Sequence, residues 1–204
     1  MIDRVALHLL QPPLKALALR LTAAGVAADT ITWMGFAVSV AGAGAISQRA
    51  YLGGLALLML GRLADGLDGE VARLRGPTDR GAFLDITLDF IVYALVPLAF
   101  AWADPAANAL AAAVLLAAFF SSGGSFLALA VMAERRGLRN DAYPQKGLYF
   151  LGGLAEGGET IICFVLMALW PQAFAWWAYG FAALCALTGA ARIAMACRLL
   201  AQAR

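Results

Sequence analysis

The stretch Asp65–Asp89, DGLDGEVARLRGPTDRGAFLDITLD, places five aspartates and four other charged residues in one short window. The long apolar runs on both sides of it are typical of membrane-spanning helices. Carboxylates are costly in such surroundings, and acids within membrane helices mostly belong to functional sites. What keeps these acids in place therefore bears on both the fold and the function.

The bulk composition places the chain among membrane proteins. Its 204 residues are 63% hydrophobic and only 14% charged, against about 25% charged in soluble domains, and the mean hydropathy is +0.79. Since only helices and closed barrels satisfy their backbone in lipid, we predict an all-α integral membrane protein. A net charge of only +2 implies no large basic surface that could bind nucleic acid.

The apolar runs predict six transmembrane helices, at residues 31–47, 51–74, 82–101, 107–133, 147–170 and 174–200. Residues 3–24 precede them and predict an amphipathic helix on the membrane surface, kinked or split at Pro12-Pro13. An ordinary lead-in to the first span is the alternative. We thus expect one domain over 1–204, with a juxtamembrane segment, 1–30, and a six-helix bundle, 31–200.

The basic residues predict the orientation, because cytoplasmic loops are enriched in Lys and Arg. In the six-span arrangement, the predicted loops on one side of the membrane contain a single basic residue, Arg49. The loops and termini on the other side contain Arg4, Lys15, Arg20, Arg73, Arg75, Arg80, Arg135, Arg136, Arg139, Lys146, Arg198 and Arg204. Both termini and the acid-rich stretch should then face the cytoplasm, and we expect a bacterial inner-membrane protein.

Four of the acids fall at helical spacing. Asp65 and Asp68 are i, i+3 on the second span, and Asp85 and Asp89 are i, i+4 on the third. A short loop makes the two spans antiparallel neighbours, so the two pairs converge. Four carboxylates at one place repel one another, and bound Mg²⁺ or Mn²⁺ relieves that repulsion. The alternative, charges snorkelling to the interface, fits the loop residues but not these four.

Glycines and an arginine accompany the acids. Gly69 and Gly81 lie where a side chain would block a ligand, and Arg73 lies a turn or two from Asp65. Carboxylate-bound metals beside a guanidinium suit a diphosphate ligand.

These residues, Asp65-x-x-Asp68-Gly69-x-x-Ala72-Arg73 and Gly81-x-x-x-Asp85-x-x-x-Asp89, resemble the full signature of the CDP-alcohol phosphotransferases. That resemblance implies transfer of a phosphoalcohol group from a CDP-linked donor to a hydroxyl, with release of CMP. It implies that two divalent ions, Mg or Mn, are held by the signature acids. Asp85 and Asp89 are the expected catalytic carboxylates, with Asp89 either sharing the metal cluster or acting as general base.

The resemblance also implies a CDP pocket, formed by Gly69, Ala72, Arg73, Gly81, Asp68 and Thr32. The segment around Thr32, AADTIT, resembles the family's sequence before the first span, where Pro-Asn usually stands in place of Ala28-Asp29. By family analogy the donor is CDP-diacylglycerol, with CDP-choline or CDP-ethanolamine as the other branch. A homodimer is expected from the resemblance alone.

The acceptor should be bound by the later spans. Arg139 and Lys146 in the loop ERRGLRNDAYPQK suit an anionic acceptor such as glycerol 3-phosphate. The loop arginines are also explained by the general enrichment of basic residues in cytoplasmic loops. Glu156 and Glu159 suit the hydroxyls of a polyol or phosphatidylglycerol headgroup. Arg62 or Arg192 are the candidate partners for these glutamates, and the glycines beside them also fit close helix packing.

Two other classes of membrane protein hold their ligands through carboxylates of membrane helices. A membrane prenyltransferase holds a prenyl diphosphate through Asp-bound Mg²⁺, but it has a longer chain and lacks the Gly-x-x-Ala-Arg element. A metal or ion transporter places acids near the bilayer midplane and often has inverted repeats. The signature in this chain lies near one membrane edge, which favours the transferase.

Overall fold

The computed structural model describes residues 2–137 and 157–202, with side chains for 11–137 and 157–201. All of its regular elements are helical. In chain order they are α1 (Ile2–Ala23), α2 (Ala28–Ser47), α3 (Tyr51–Arg75), α4 (Asp79–Ala103), α5 (Pro105–Arg135), α6 (Gly157–Leu169), a 3-10 turn (Pro171–Ala173) and α7 (Phe174–Gln202). The all-α class is therefore confirmed within the described part of the chain.

Within residues 2–137 and 157–202, four helical stretches are long and apolar enough to cross a membrane: α2, α4, α5 and Pro171–Ala201, which contains α7. Helix α3 has 25 residues, but charged side chains occupy its second half. Helix α6 is a shorter apolar helix, and the first part of the predicted fifth span lies outside the described residues. Six spans therefore stay a prediction.

The α3–α4 connection is shorter than predicted. Gly76 ends α3 with a φ of 96°, a value that glycine adopts without strain. Thr78 caps α4, because its Oγ1 accepts a hydrogen bond of 3.0 Å from the Gly81 N–H. Asp79 and Arg80, expected in the loop, thus form the first turn of α4, although both side chains are exposed as predicted. The short connection turns the chain back, and α2 packs far more extensively against α3 and α4 than these two helices pack against each other.

Helices α2 and α3 approach each other closely through glycines. A Cβ on Gly42 would lie 2.9 Å from the carbonyl oxygen of Gly54, and one on Gly54 would lie 2.7 Å from that of Gly42. Real side chains do not tolerate such separations, so both positions need glycine. The small residues let the two backbones pack together, as in other membrane helix pairs.

The apolar core lies at one end of the bundle. Phe100 stacks between the rings of Tyr51 and Phe174, with centroids 5.5 and 4.7 Å away. At the same end, the Nε of Arg49 donates a 2.9 Å hydrogen bond to the carbonyl oxygen of Ala103. The charged halves of α3 and α4 lie at the opposite end, so the core fixes the helices without occupying the site.

Helix α1 packs on the charged end. It runs continuously through Pro12 and Pro13, so the prolines do not split it. Ala18 is fully buried in a small cluster with Ile31 of α2 and Val71 of α3. That α1 lies on the membrane surface remains a prediction.

The α2–α3 contact can be tested with a matched pair of glycines. We expect Gly42→Leu to lower the melting temperature in detergent by about 5 °C, because overpacking a tight contact costs roughly 1–3 kcal/mol. Gly44→Leu on the same helix is the control, since a Cβ there meets nothing within 4 Å. Equal losses from both substitutions, measured by circular dichroism, would show that the close approach contributes little.

Candidate active site

The two aspartate pairs lie on adjacent faces of α3 and α4. Asp65, Asp68, Asp85 and Asp89 all line one small cavity of about 30 Å³. Thr32 of α2, one of the expected CDP-binding residues, lines the same cavity. The structure thus brings together the four acids that the sequence singled out.

The donor set of this cavity fits hard divalent cations. Asp68 is only 7% exposed, and its Oδ2 is buried with no hydrogen-bond partner. A buried carboxylate oxygen without a donor is costly, and a cation would offset that cost. Among the residues with described side chains, no three acidic, histidine or cysteine groups are already spaced to hold one metal ion. The chemistry of these side chains therefore suits a divalent cation.

Arg62 lies between the acids of the two helices. Its Nη1 is 3.0 Å from Asp65 Oδ2 and 2.8 Å from Asp89 Oδ1. Tyr93, one turn beyond Asp89, directs its hydroxyl at Asp89 Oδ2 over 3.4 Å. The sequence analysis considered Arg62 as a partner for the glutamates of the fifth span, whereas the described contacts pair it with the aspartates. Its position one turn before Asp65 was the available signal.

The signature residues beyond the acids follow along α3. The guanidinium of Arg73 lies over Gly69, where a Cβ would stand 3.6 Å from Nη1. Arg73 is mostly exposed and donates a 2.7 Å hydrogen bond to Glu70 Oε1, a buried carboxylate that the sequence analysis did not single out. Ala72, which lies between Glu70 and Arg73 in the sequence, is half-buried. Arg73 is therefore held at the open end of the site.

The start of α4 meets the start of α2 at this same end. A Cβ on Gly81 would lie 3.7 Å from Asp29 Oδ1, and Arg80 Nε is 3.2 Å from Asp29 Oδ2. Thr32 is one turn beyond Asp29, and its hydroxyl donates to the carbonyl oxygen of Ala28. The expected CDP-binding residues thus come from three helices that meet around the acids.

A second cavity, of about 660 Å³, adjoins the first and is lined by residues of α3 to α7. Arg62 and Asp89 line both cavities. The polar side chains that line only the larger one are Tyr93, Ser122, Thr160 and Arg192, and the rest of its wall is mostly apolar.

Arg192 of α7 is the second cation of the larger cavity. Its residue is 8% exposed, and its Nη1 donates to the carbonyl oxygen of Ser122 over 2.7 Å and to Ser125 Oγ over 3.2 Å. Its guanidinium also lies 5.6 Å from the centre of the Phe126 ring. These contacts hold a positive charge at the wall of a mostly apolar cavity.

The expected acceptor residues are placed only in part. Arg139, Lys146 and Glu156 lie outside the described residues. Glu159 is half-buried in the first turn of α6 but does not line either cavity; its neighbour Thr160 lines the larger one.

Three polar side chains of the larger cavity were missed by the sequence analysis: Tyr93, Ser122 and Thr160. Tyr93 is i+4 from Asp89, and Ser122 belongs to a run of serines and glycines, SSGGS, inside an apolar helix. Both patterns were available as signals. Thr160 had no comparable signal.

Comparison with known proteins agrees with this geometry. The family model described as CDP-alcohol phosphatidyltransferase matches residues 25–188. The chain is 46% identical over 193 residues to the inner membrane protein YnjF of Escherichia coli K12, covering 95% of this chain and 94% of the relative. It is 32% identical over 185 residues to a phosphatidylinositol phosphate synthase of Mycobacteroides abscessus, covering 82% of this chain and 77% of that one.

Solved structures of the phosphatidylinositol phosphate synthase of Mycobacterium tuberculosis share the fold. The structure with CDP-DAG bound superposes with a TM-score of 0.71 at 27% identity, over 90% of this chain and 92% of that one. The structure in complex with manganese and citrate gives a TM-score of 0.72 at 26% identity, over 90% and 88% of the two chains. With the signature acids gathered at one cavity and the family model covering most of the sequence, this chain belongs to the CDP-alcohol phosphatidyltransferase family, whose members are transferases of substituted phosphate groups.

Proposed function

We propose that the protein transfers the phosphatidyl group of CDP-diacylglycerol to the hydroxyl of an anionic polyol and releases CMP. The observation that carries this proposal is the position of Asp89 at the wall shared by the two cavities. One cavity is lined by the four signature acids, and the other has a buried cation and room for a second substrate. A relative of known structure binds CDP-DAG, which supports this donor.

In the proposed reaction Asp89 acts as general base. It removes the proton of the acceptor hydroxyl, whose oxygen then forms a bond to the β-phosphorus of the donor. The bond from that phosphorus to the bridging oxygen breaks, and CMP leaves with the electron pair. Two divalent ions, when held by Asp65, Asp68 and Asp85, would supply the positive charge that neutralises the diphosphate. A manganese complex of the mycobacterial relative supports metal use.

The nucleotide would lie at the open end of the acids. Arg73 offers a guanidinium beside Gly69, where the missing side chain leaves room for a phosphate. Gly81 and Thr32 border the same space from α4 and α2. The donor's acyl chains would remain in the lipid, and the positive-inside pattern would place this end at the cytoplasmic face of the inner membrane.

The larger cavity fits a small acceptor with a phosphate group. Its volume of about 660 Å³ is within the range of small-molecule sites. Arg192 supplies positive charge, while Ser122, Thr160 and Tyr93 supply hydroxyl groups for a polyol. The sequence favours glycerol 3-phosphate or a phosphatidylglycerol or polyol headgroup as acceptor. Inositol phosphate is a further candidate because two relatives are phosphatidylinositol phosphate synthases. The prenyltransferase and transporter alternatives lose their support with the family match.

An acceptor panel with purified protein tests the proposal. CMP release from CDP-diacylglycerol with Mn²⁺ is measured with glycerol 3-phosphate, inositol phosphate, inositol, phosphatidylglycerol and serine in turn. We expect release with a phosphorylated polyol and a loss of about 10²–10⁴-fold in Asp89→Asn, because the general base is removed. Asp79→Asn, exposed in the first turn of α4, is the control and should keep its activity. Full activity in Asp89→Asn would rule out the base, and no release with any phosphorylated polyol would rule out the acceptor class.

The role of Arg192 is tested by separating the two substrates. We expect Arg192→Gln to raise the KM for the phosphorylated acceptor about tenfold or more, since a charged hydrogen bond contributes roughly 1.5–3 kcal/mol. The KM for CDP-diacylglycerol should stay within a factor of about two. Arg192→Lys, which keeps the charge, should recover part of the loss, and Arg198→Gln, exposed on the same helix, is the control. A rise in the donor KM instead of the acceptor KM would contradict the assignment.

A further inference from the structure

Arg62 is a largely buried cation in a helix that is predicted to span the membrane. It lies in the middle of α3, eleven residues from the helix start at Tyr51, and its side chain is only 31% exposed. An arginine at such a depth is costly unless it has anionic partners. It has two, Asp65 on its own helix and Asp89 on α4, whose side chains are 26% and 30% exposed.

Arg62 contacts one of the expected metal ligands, Asp65, and the proposed base, Asp89. Its Nη1 is 3.0 Å from Asp65 Oδ2 and 2.8 and 3.1 Å from the two oxygens of Asp89. A guanidinium and a divalent cation at the same carboxylates repel each other. In this arrangement Arg62 therefore neutralises two of the four acids and opposes metal binding there.

The larger cavity offers space for the Arg62 side chain away from the acids. Among the residues whose side chains the structure describes, two line both cavities, Arg62 and Asp89. A rotation of the long Arg62 side chain away from the acids would direct the guanidinium into the larger cavity, on whose wall Arg192 also lies.

We propose that Arg62 is an exchangeable counter-ion of the active site. In the structure it bridges Asp65 of α3 and Asp89 of α4. When a divalent cation binds the acids, Arg62 is displaced towards the larger cavity, and Asp89 is released to accept a proton. There the guanidinium meets the anionic group of the acceptor; this contact and the role of Asp89 as base rest on the proposed function. Arg62 is thus a positioning residue that links metal binding to acceptor binding.

Direct Mn²⁺ binding tests the exchange without either substrate. Free Mn²⁺ is measured by electron paramagnetic resonance during titration of the purified protein in detergent. We expect Arg62→Gln to lower the Kd for Mn²⁺ about tenfold, because a competing charged contact is lost. Arg62→Lys keeps the charge but not the planar fork, so its Kd should fall between the two.

Arg49→Gln is the matched control, because Arg49 contacts the carbonyl oxygen of Ala103 at the opposite end of the bundle. It should leave the Kd for Mn²⁺ unchanged. An unchanged or raised Kd in Arg62→Gln, or in Arg62→Lys if the glutamine variant does not fold, would overturn the exchange. Such a result would leave the proposed transfer reaction standing, since neither substrate is present.

The second readout concerns the acceptor. At saturating Mn²⁺ we expect Arg62→Gln to raise the KM for the phosphorylated acceptor several-fold, although its Mn²⁺ binding is tighter. A purely structural role would not move the two affinities in opposite directions. An acceptor KM equal to that of the unaltered protein would overturn the movement of Arg62 into the larger cavity.

Discussion

The repulsion among four carboxylates inside an apolar helix bundle is the constraint on which the site depends. The small cavity cannot hold four bare carboxylate anions, because each negative charge raises the free energy of the ionised form of its neighbours. The four are Asp65, Asp68, Asp85 and Asp89. In the structure Arg62 offsets part of that charge, while Asp68 keeps a buried oxygen without a donor. The site is therefore built for more positive charge than the chain itself provides.

The division of the bundle into two ends makes such a site tolerable. The apolar core around Phe100 and the glycine contact between Gly42 and Gly54 fix the helices at positions away from the acids. Helix α1 packs on the charged end, where Ala18, Ile31 and Val71 form a small buried cluster of their own. Asp89 lies where the two cavities meet, so one carboxylate is within reach of both proposed substrates.

Much of this site could be predicted from the sequence because it depends on local spacing. The i, i+3 and i, i+4 intervals place Asp65 with Asp68 and Asp85 with Asp89 on single helix faces, and a short loop brings the faces together. The partners of Arg62 and the cavity around Arg192 depend on packing between helices far apart in the chain, which spacing does not report. The start of α4 was placed three residues late, since the cap at Thr78 was not recognised. The assignment of Arg139, Lys146 and Glu156 to acceptor binding stays a prediction.

The location of bound Mn²⁺ tests the central claim most directly. Crystals of the protein grown with Mn²⁺ and CDP would give anomalous difference density at the manganese edge. The account predicts manganese in the small cavity, bound by Asp65, Asp68 and Asp85, with Arg62 moved away from Asp65 and Asp89. Manganese found only elsewhere on the protein, with Arg62 still between those two aspartates, would contradict it.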